Sequence, residues 1–326
     1  MPSRSTILPC IMSLLATTVS GCFFITGDIN PFSQRPQPLE EHVISGSGDK
    51  KVLLMDISGV ISSEERGNAF GLRTDESTVA RVEAELEAAA QDDDLVAIVL
   101  RINSPGGTVT ASDIIYERLT RFKTEYDVPV LVQMMDVAAS GGYYAALAGD
   151  VIVASPTTVT GSIGVIFTSI SAAGLLDKIG VRNQTVASGK MKDIGSPLRS
   201  MTPAERQVLE SLIGDMQERF VGLVRERRPN LTEQMKTDMV DGRVFSAEQA
   251  VAGGLVDDIG YLDTTIERAK QQAGVSEARV IRYRRSDEYA EGLYSRASLG
   301  APQLNLFNLN LAPLPHTPSF LYLWSP

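Results

Sequence analysis

Three nearly continuous apolar runs of strand length, Val52–Ile57, Leu95–Ile102 and Val128–Met134, recur through the first half of the chain. A strand that is apolar on both faces has no side to offer water, so it belongs in a sheet covered above and below. The segments between these runs have helical spacing. Residues 77–90 place Val79, Val82 and Leu86 on one face, and a second helix is expected over 109–125. Strands that alternate with helices pair in parallel, which makes the expected fold class α/β. Asp150–Ala154 and Gln184–Ala187 are further short strand candidates.

Farther along, Thr-Pro-Ala-Glu (202–205) has the form of a helix start: a capping threonine, proline at the first helical position and glutamate three residues after the cap. Val208, Leu212, Met216, Phe220 and Val224 then form an apolar stripe. A short helix from Ser246 and a last helix near 262–273 complete a C-terminal helical portion, and no internal repeat of domain size is visible. With 326 residues, 43% hydrophobic and 21% charged, the chain can bury one large core or two modest ones.

The ends differ from the middle. Arg4 precedes an apolar run from Ile7 to Val19, and Val-Ser-Gly-Cys (19–22) follows. Small residues before a cysteine resemble the lipobox of bacterial lipoproteins, so residues 1–21 are expected to be a signal peptide and Cys22 the lipidated first residue. The competing expectation is an uncleaved signal anchor, because Phe23, Phe24 and Ile25 prolong the apolar run. Either way the folded part faces away from the cytoplasm, against a membrane. Residues 22–50, with Pro31, Pro36, Pro38 and Ser-Gly-Ser-Gly, read as a tether. The folded domain is expected over 51–285. Residues 286–326 are an extension whose Leu-Asn-Leu-Phe-Asn-Leu-Asn-Leu run (304–311) alternates like a strand with one face in and one out.

Composition removes several functions. A net charge of −10 argues against a nucleic-acid partner. Both cysteines, Cys10 and Cys22, lie near the start, and the two histidines, His42 and His316, lie near the ends. No cysteine or histidine cluster can form in the core, and no metal or cofactor is expected.

What remains in the middle is a serine. Ser140 sits in Val-Ala-Ala-Ser-Gly-Gly-Tyr-Tyr (137–144), where a strand turns into a helix. A nucleophilic serine needs a base. With no histidine nearby the base has to be a lysine, and Lys192 in Ser-Gly-Lys-Met-Lys-Asp (188–193) is the candidate. A lysine acts as a base only when neutral, a state that burial favours. Asn-Ser-Pro-Gly-Gly (103–107) and Gly141–Gly142 open two strand-to-helix turns, where backbone N–H groups could stabilise an oxyanion. Ser162, in Thr-Gly-Ser-Ile-Gly-Val-Ile (160–166), could hold an amine in line. Each feature taken alone is also compatible with an ordinary turn or a solvated surface charge.

Together, and in this order, these segments and Asp-Gly-Arg-Val-Phe (241–245) resemble the signal peptide peptidase A family of membrane-bound Ser-Lys proteases in its single-unit form. The resemblance runs from about Val52 to Gly260. It implies the Clp/crotonase-type fold of stacked βαβ spirals, Ser140 as nucleophile and Lys192, rather than Lys190, as general base. It further implies Ser162 as the residue that orients the lysine, and Gly107 and Gly141 as oxyanion donors. Peptide substrates such as remnant signal peptides, and a homo-oligomer whose grooves are shared between neighbours, follow from the same resemblance. A catalytically silent membrane scaffold and a crotonase-like acyl-CoA enzyme would share the fold, although an export signal argues against a CoA substrate. The lipobox in place of a membrane-spanning anchor, and the 300–326 tail, depart from the family pattern.

Overall fold

The structure is a computed structural model that describes residues 38–67, 74–285 and 319–324, with short pieces at 288–289, 293–294 and 298–299. Its principal elements in chain order are β1 (Glu40–Ser45), β2 (Lys51–Ser58), α1 (Thr78–Ala89), β3 (Leu95–Ser104), β4 (Gly106–Thr108), α2 (Val109–Tyr126) and β5 (Val130–Ala139). There follow α3 (Gly141–Ala146), β6 (Val151–Ala154), β7 (Val159–Gly161), β8 (Ile166–Thr168), α4 (Ala173–Lys178), α5 (Pro203–Arg227) and α6 (Glu233–Asp238). The last are β9 (Val244–Ser246), α7 (Ala247–Gly253), β10 (Asp258–Ile259), α8 (Leu262–Gln272), β11 (Arg279–Arg284) and β12 (Ser319–Leu323).

Nine strands form the main sheet, in the order β1-β11-β2-β3-β5-β6-β10, with β7 on the far half of β5 and β9 beside β7. The central pairs, β2 with β3 and β3 with β5, are parallel, as the alternation of elements requires. Side-chain period divides the sheet faces cleanly. Leu53, Met55, Ile98, Leu100, Val130 and Val132 pack with Val82, Leu86, Ile115 and Leu119 of α1 and α2. Their neighbours Val52, Leu54, Ala97, Val99 and Leu131 pack on the other face with Leu262, Ile266 and Ala269 of α8 and with Val280. Gln133, fully buried in β5, ties that second face together. Its amide donates to Ser155 Oγ at 3.0 Å and to the Gly260 carbonyl at 3.2 Å, and its oxygen accepts from Thr265 Oγ1 at 2.6 Å.

β5 changes partner along its length. Leu131–Met134 pair with β6, whereas Val137–Ala139 pair with β7. The two halves of one strand thus serve two successive turns of the chain, and the far half ends at Ser140.

Several expectations change. Residues 40–45, read as part of the tether, form β1, antiparallel to β11 at the edge of the sheet. Residues 184–187 are not a strand but an exposed irregular segment. The helix from Thr202 forms with its capping box, Thr202 N–H donating to Glu205 Oε2 at 2.8 Å and Glu205 N–H to Thr202 Oγ1 at 3.3 Å. Its stripe, however, is buried only at the C-terminal end: Phe220 and Val224 lie in the core while Val208 and Leu212 are exposed. The 304–311 run, Cys22 and residues 1–37 lie outside the described residues. The extension does contribute a strand, β12, which is antiparallel to both β4 and β8 in a separate three-stranded sheet.

Residues 169–200 form a largely exposed arm. No residue of α4 is buried, and Ile170, Leu175, Ile179, Val181, Val186, Met191 and Leu198 are exposed. The arm is fixed at its return by Arg199, which donates to Asp193 at 2.7 and 2.8 Å and to Glu205 at 2.9 Å. The guanidinium, helped by the Thr202 backbone N–H, holds the Glu205 carboxyl down to about 2, and it lowers Asp193 as well. A carboxylate whose folded pKa is depressed contributes stability that is present above its unfolded pKa and lost as pH falls through the folded one. Amides of 189–205, corrected for intrinsic exchange rate, should therefore exchange alike at pH 7 and 5 and faster as pH falls from about 4.3 toward about 2. Hydrogen-exchange mass spectrometry checks this, with Arg199→Ala expected to abolish the pH dependence.

Candidate active site

β5 delivers Ser140 to the first turn of α3 with φ 52° and ψ −116°. A serine gains nothing locally from such a backbone, which costs on the order of 1–3 kcal/mol. Two backbone hydrogen bonds hold it there, Ser140 N–H to the Gly161 carbonyl at 2.8 Å and Tyr144 N–H to the Ser140 carbonyl at 2.9 Å. Its hydroxyl is buried and has no hydrogen-bond partner among the described residues. An unpaired buried hydroxyl costs a further ~1–3 kcal/mol. Strain and desolvation thus fall on one oxygen.

The neighbouring strand repeats the geometry. Ala139 of β5 is in register with Gly161 of β7, so Ser162 follows beside Ser140 on the adjacent parallel strand. Ser162 also has positive φ, 50°, and its N–H donates to the Arg243 carbonyl at 2.8 Å. Asp-Gly-Arg-Val-Phe (241–245) therefore acts on the site through its backbone, by pairing β9 with β7 and bracing Ser162.

Glycine is forced at both predicted oxyanion positions by close approach. A Cβ on Gly107 would lie 1.9 Å from the Ile61 carbonyl oxygen, and one on Gly141 would lie 2.3 Å from Ser112 Oγ. The same Gly141 Cβ position is 3.1 Å from Gly107 N, so the two glycines meet at one point beside Ser140. Gly107 lies in β4 two residues before α2, and Gly141 is the first residue of α3, where the helix dipole favours negative charge.

Two residues of the Asn-Ser-Pro-Gly-Gly segment hold this convergence. Asn103 donates to Asp136 at 2.9 Å and accepts from Val137 N–H at 3.1 Å, binding the end of β3 to β5. Ser104 donates to the Gly59 carbonyl at 2.6 Å and accepts from Gly106 N–H at 3.1 Å. Sequence reading took the segment for its glycines and missed these two. A polar pair ending an apolar strand was the available signal, since such groups need partners once buried.

Ser140, Ser162, Gly107 and Gly141 are thus brought together, and Lys192 is not among them. It lies exposed on a turn of the arm, its N–H donating to the Gly189 carbonyl at 3.1 Å. Among the described residues no hydrogen bond joins its ammonium to either serine. Lys190 is exposed on the same turn. No helix of the described residues is long and apolar enough to cross a membrane, and no cluster of possible metal ligands occurs among them.

Comparison with known proteins identifies the family. Residues 123–276 match peptidase family S49, and residues 55–159 match the Clp protease family. A protein of Enterococcus faecium described as a signal peptide peptidase, SppA, is 32% identical over 260 residues, covering 80% of this chain and 74% of that one. Protease 4 of Salmonella typhi is 36% identical over 190 residues, and the chloroplastic serine protease SPPA of Arabidopsis thaliana is 36% identical over 180. The matched segments cover 58% and 55% of this chain but only 30% and 26% of those longer proteins. The chain belongs to peptidase family S49, the signal peptide peptidase A family of serine peptidases, on a Clp-type α/β fold.

Proposed function

We propose that the protein is a membrane-anchored endopeptidase in which Ser140 attacks the peptide carbonyl and Lys192 is the general base. The observation that carries this reading is the Ser140 hydroxyl, buried without a partner and held in a strained conformation beside the N–H groups of Gly107 and Gly141. The neutral Lys192 amine would take the proton from Ser140 Oγ as it bonds to the substrate carbon. Gly107 and Gly141 would stabilise the oxyanion, worth several kcal/mol per pair of donors in comparable sites, of order ~3 each. The lysine would then protonate the leaving amine, and water would hydrolyse the acyl-enzyme. Ser162 would orient the amine. Substrates would be short or unfolded peptides, remnant signal peptides among them, lying extended along the cleft.

The site needs Lys192 to leave water, and the arm supports a route. Its apolar residues are exposed, as are Val208 and Leu212 of α5, and exposed apolar side chains gathered into a patch mark an interaction surface. In our reading the protein is a homo-oligomer, and the arm of one copy packs on the next, carrying Lys192 to the Ser140 of that neighbour. Burial there would also favour the neutral amine that a base requires.

Complementation tests both halves of the proposal. Ser140→Ala and Lys192→Ala should each abolish peptide hydrolysis, because nucleophile and base act as a unit. Subunits of the two inactive variants, dissociated and reassembled together, should recover about a quarter of wild-type activity for random placement around a ring. A mixture as inactive as its components would put both residues of the dyad in one copy. An active Lys192→Ala enzyme would overturn the lysine mechanism, and a wild type that hydrolyses nothing would favour a scaffold.

Ser162→Ala should keep the dyad but aim it poorly, lowering turnover by roughly 10- to 100-fold, as loss of residues that orient a reacting group does elsewhere. Full activity in the folded variant would leave Ser162 a turn residue. For the anchor, mass spectrometry of membrane-extracted protein should find a mature chain that begins at a diacylated Cys22. A chain that still begins at Met1 with an unmodified Cys22 would replace the lipid with an uncleaved anchor.

A further inference from the structure

A lysine reaches its target on a long flexible stem, so a base of this kind depends on how firmly the turn beneath it is fixed. The turn that carries Lys192 is shaped by local bonds. Lys192 N–H donates to the Gly189 carbonyl at 3.1 Å, Ile194 N–H to the Met191 carbonyl at 3.3 Å and Ser196 N–H to the Asp193 carbonyl at 3.0 Å. Two further bonds tie this limb of the arm to the other limb, Ser169 Oγ donating to the Gly195 carbonyl at 3.1 Å and Ala172 N–H to the Pro197 carbonyl at 2.7 Å.

One guanidinium joins the turn to α5. Arg199 holds Asp193, the residue after Lys192, at three points. Its Nε and Nη2 donate to the two carboxylate oxygens at 2.8 and 2.7 Å, and Nη2 also donates to the main-chain carbonyl at 3.3 Å. Nη1 donates to Glu205 Oε2 at 2.9 Å, and Nη2 also contacts Glu205 Oε1. Glu205 is buried and accepts from the Thr202 N–H at 2.8 Å and the Thr202 hydroxyl at 3.0 Å, which closes the first turn of α5. A planar fork shared by two carboxylates fixes the angle between them as well as the distance. The helix then carries this reference inward. From Glu205 to Phe220 is about 22 Å along the axis. There Phe220 is fully buried against Tyr144, with ring centroids 4.9 Å apart, in the helix α3 that begins just after Ser140.

The same pairing has an electrostatic side. A bare carboxylate next to the base would favour an ammonium over the free amine. Both oxygens of Asp193 are engaged by Arg199, and no ion pair joins Asp193 to Lys192 among the described residues.

We infer that Arg199 is the positioning residue of the general base: through Asp193 it fixes the Lys192 turn to the capped N-terminus of α5. The inference rests on Lys192 being the base. A contact needed only for folding would act on stability and assembly, whereas one that aims the base acts on the rate of the chemical step.

The test uses the full-length, assembled enzyme, with oligomer size and melting temperature read on each variant. Arg199→Ala should lower kcat for peptide hydrolysis roughly 10- to 100-fold, as loss of a group that orients a reacting residue does elsewhere, with KM within about twofold of wild type. Arg199→Lys keeps the charge without the planar fork and should fall between the two. Guanidinium ion, well below denaturing concentrations, should restore part of the kcat lost in Arg199→Ala and leave the wild type unchanged. A wild-type kcat in Arg199→Ala, a loss carried by KM, or a loss that neither Arg199→Lys nor guanidinium recovers in part, would overturn the inference. Should Arg199→Ala fail to assemble, Asp193→Ala decides, because it releases the carboxylate hold on the turn while leaving Arg199 on Glu205 and the cap of α5 in place. Its kcat should fall about tenfold at unchanged KM, and full activity would again overturn the inference. The two readings fail separately. An active Lys192→Ala enzyme would remove the base and this role of Arg199 with it, whereas an inactive Lys192→Ala beside a fully active Arg199→Ala would remove only the latter.

Discussion

The hydrogen bond from Ser140 N–H to the Gly161 carbonyl joins the end of β5 to the end of β7, and the geometry of the site depends on that junction. It continues the parallel ladder one residue past Ala139, at the point where the chain must leave the sheet to enter α3. Continuing the ladder while turning into a helix is what drives Ser140 to positive φ. Ser162 meets the same requirement one strand over, with Arg243 as its acceptor. Because the strain is imposed by the sheet, a well-packed core of buried strands can sustain it. Neither serine is conformationally favoured where it stands, and a glycine would fit the backbone at either place. A hydroxyl at such a position, with no hydrogen-bond partner for its Oγ among the described residues, is what the proposed nucleophile at Ser140 requires.

Much of this was legible in the chain because one physical signal, burial on two faces, dominates the central strands. Val52–Ile57 and Leu95–Ile102 admit no other placement, and they became β2 and β3. Local chemistry settled the helix starts as well: Thr202 with Glu205, and Ser246 with Gln249, close capping boxes that need no tertiary help. The glycines at 107 and 141 could be flagged as turn residues, but the reason for them could not. It lies in the Ile61 carbonyl and in Ser112 Oγ, which are remote in sequence and arrive only with the fold. Residues 40–45 were missed for a related reason. Glu-Glu-His-Val-Ile-Ser lacks a strong strand signal, and an edge strand borrows its order from the exposed side of its neighbour. The segment Phe320–Trp324 carried a better signal, five consecutive apolar or aromatic residues, but the proline-rich surroundings drew attention to the Leu/Asn run instead.

The stripe from Val208 to Val224 shows where periodicity reaches its limit. Spacing identifies an apolar face but not its partner. Phe220 and Val224 meet the core of their own chain, whereas Val208 and Leu212 share the exposed apolar surface with the arm. A helix that is half intramolecular and half bare is what a shared interface would produce. On this view the exposure of Lys192 and the exposure of Val186, at 97%, have one cause, since both lie on the exposed part of the arm.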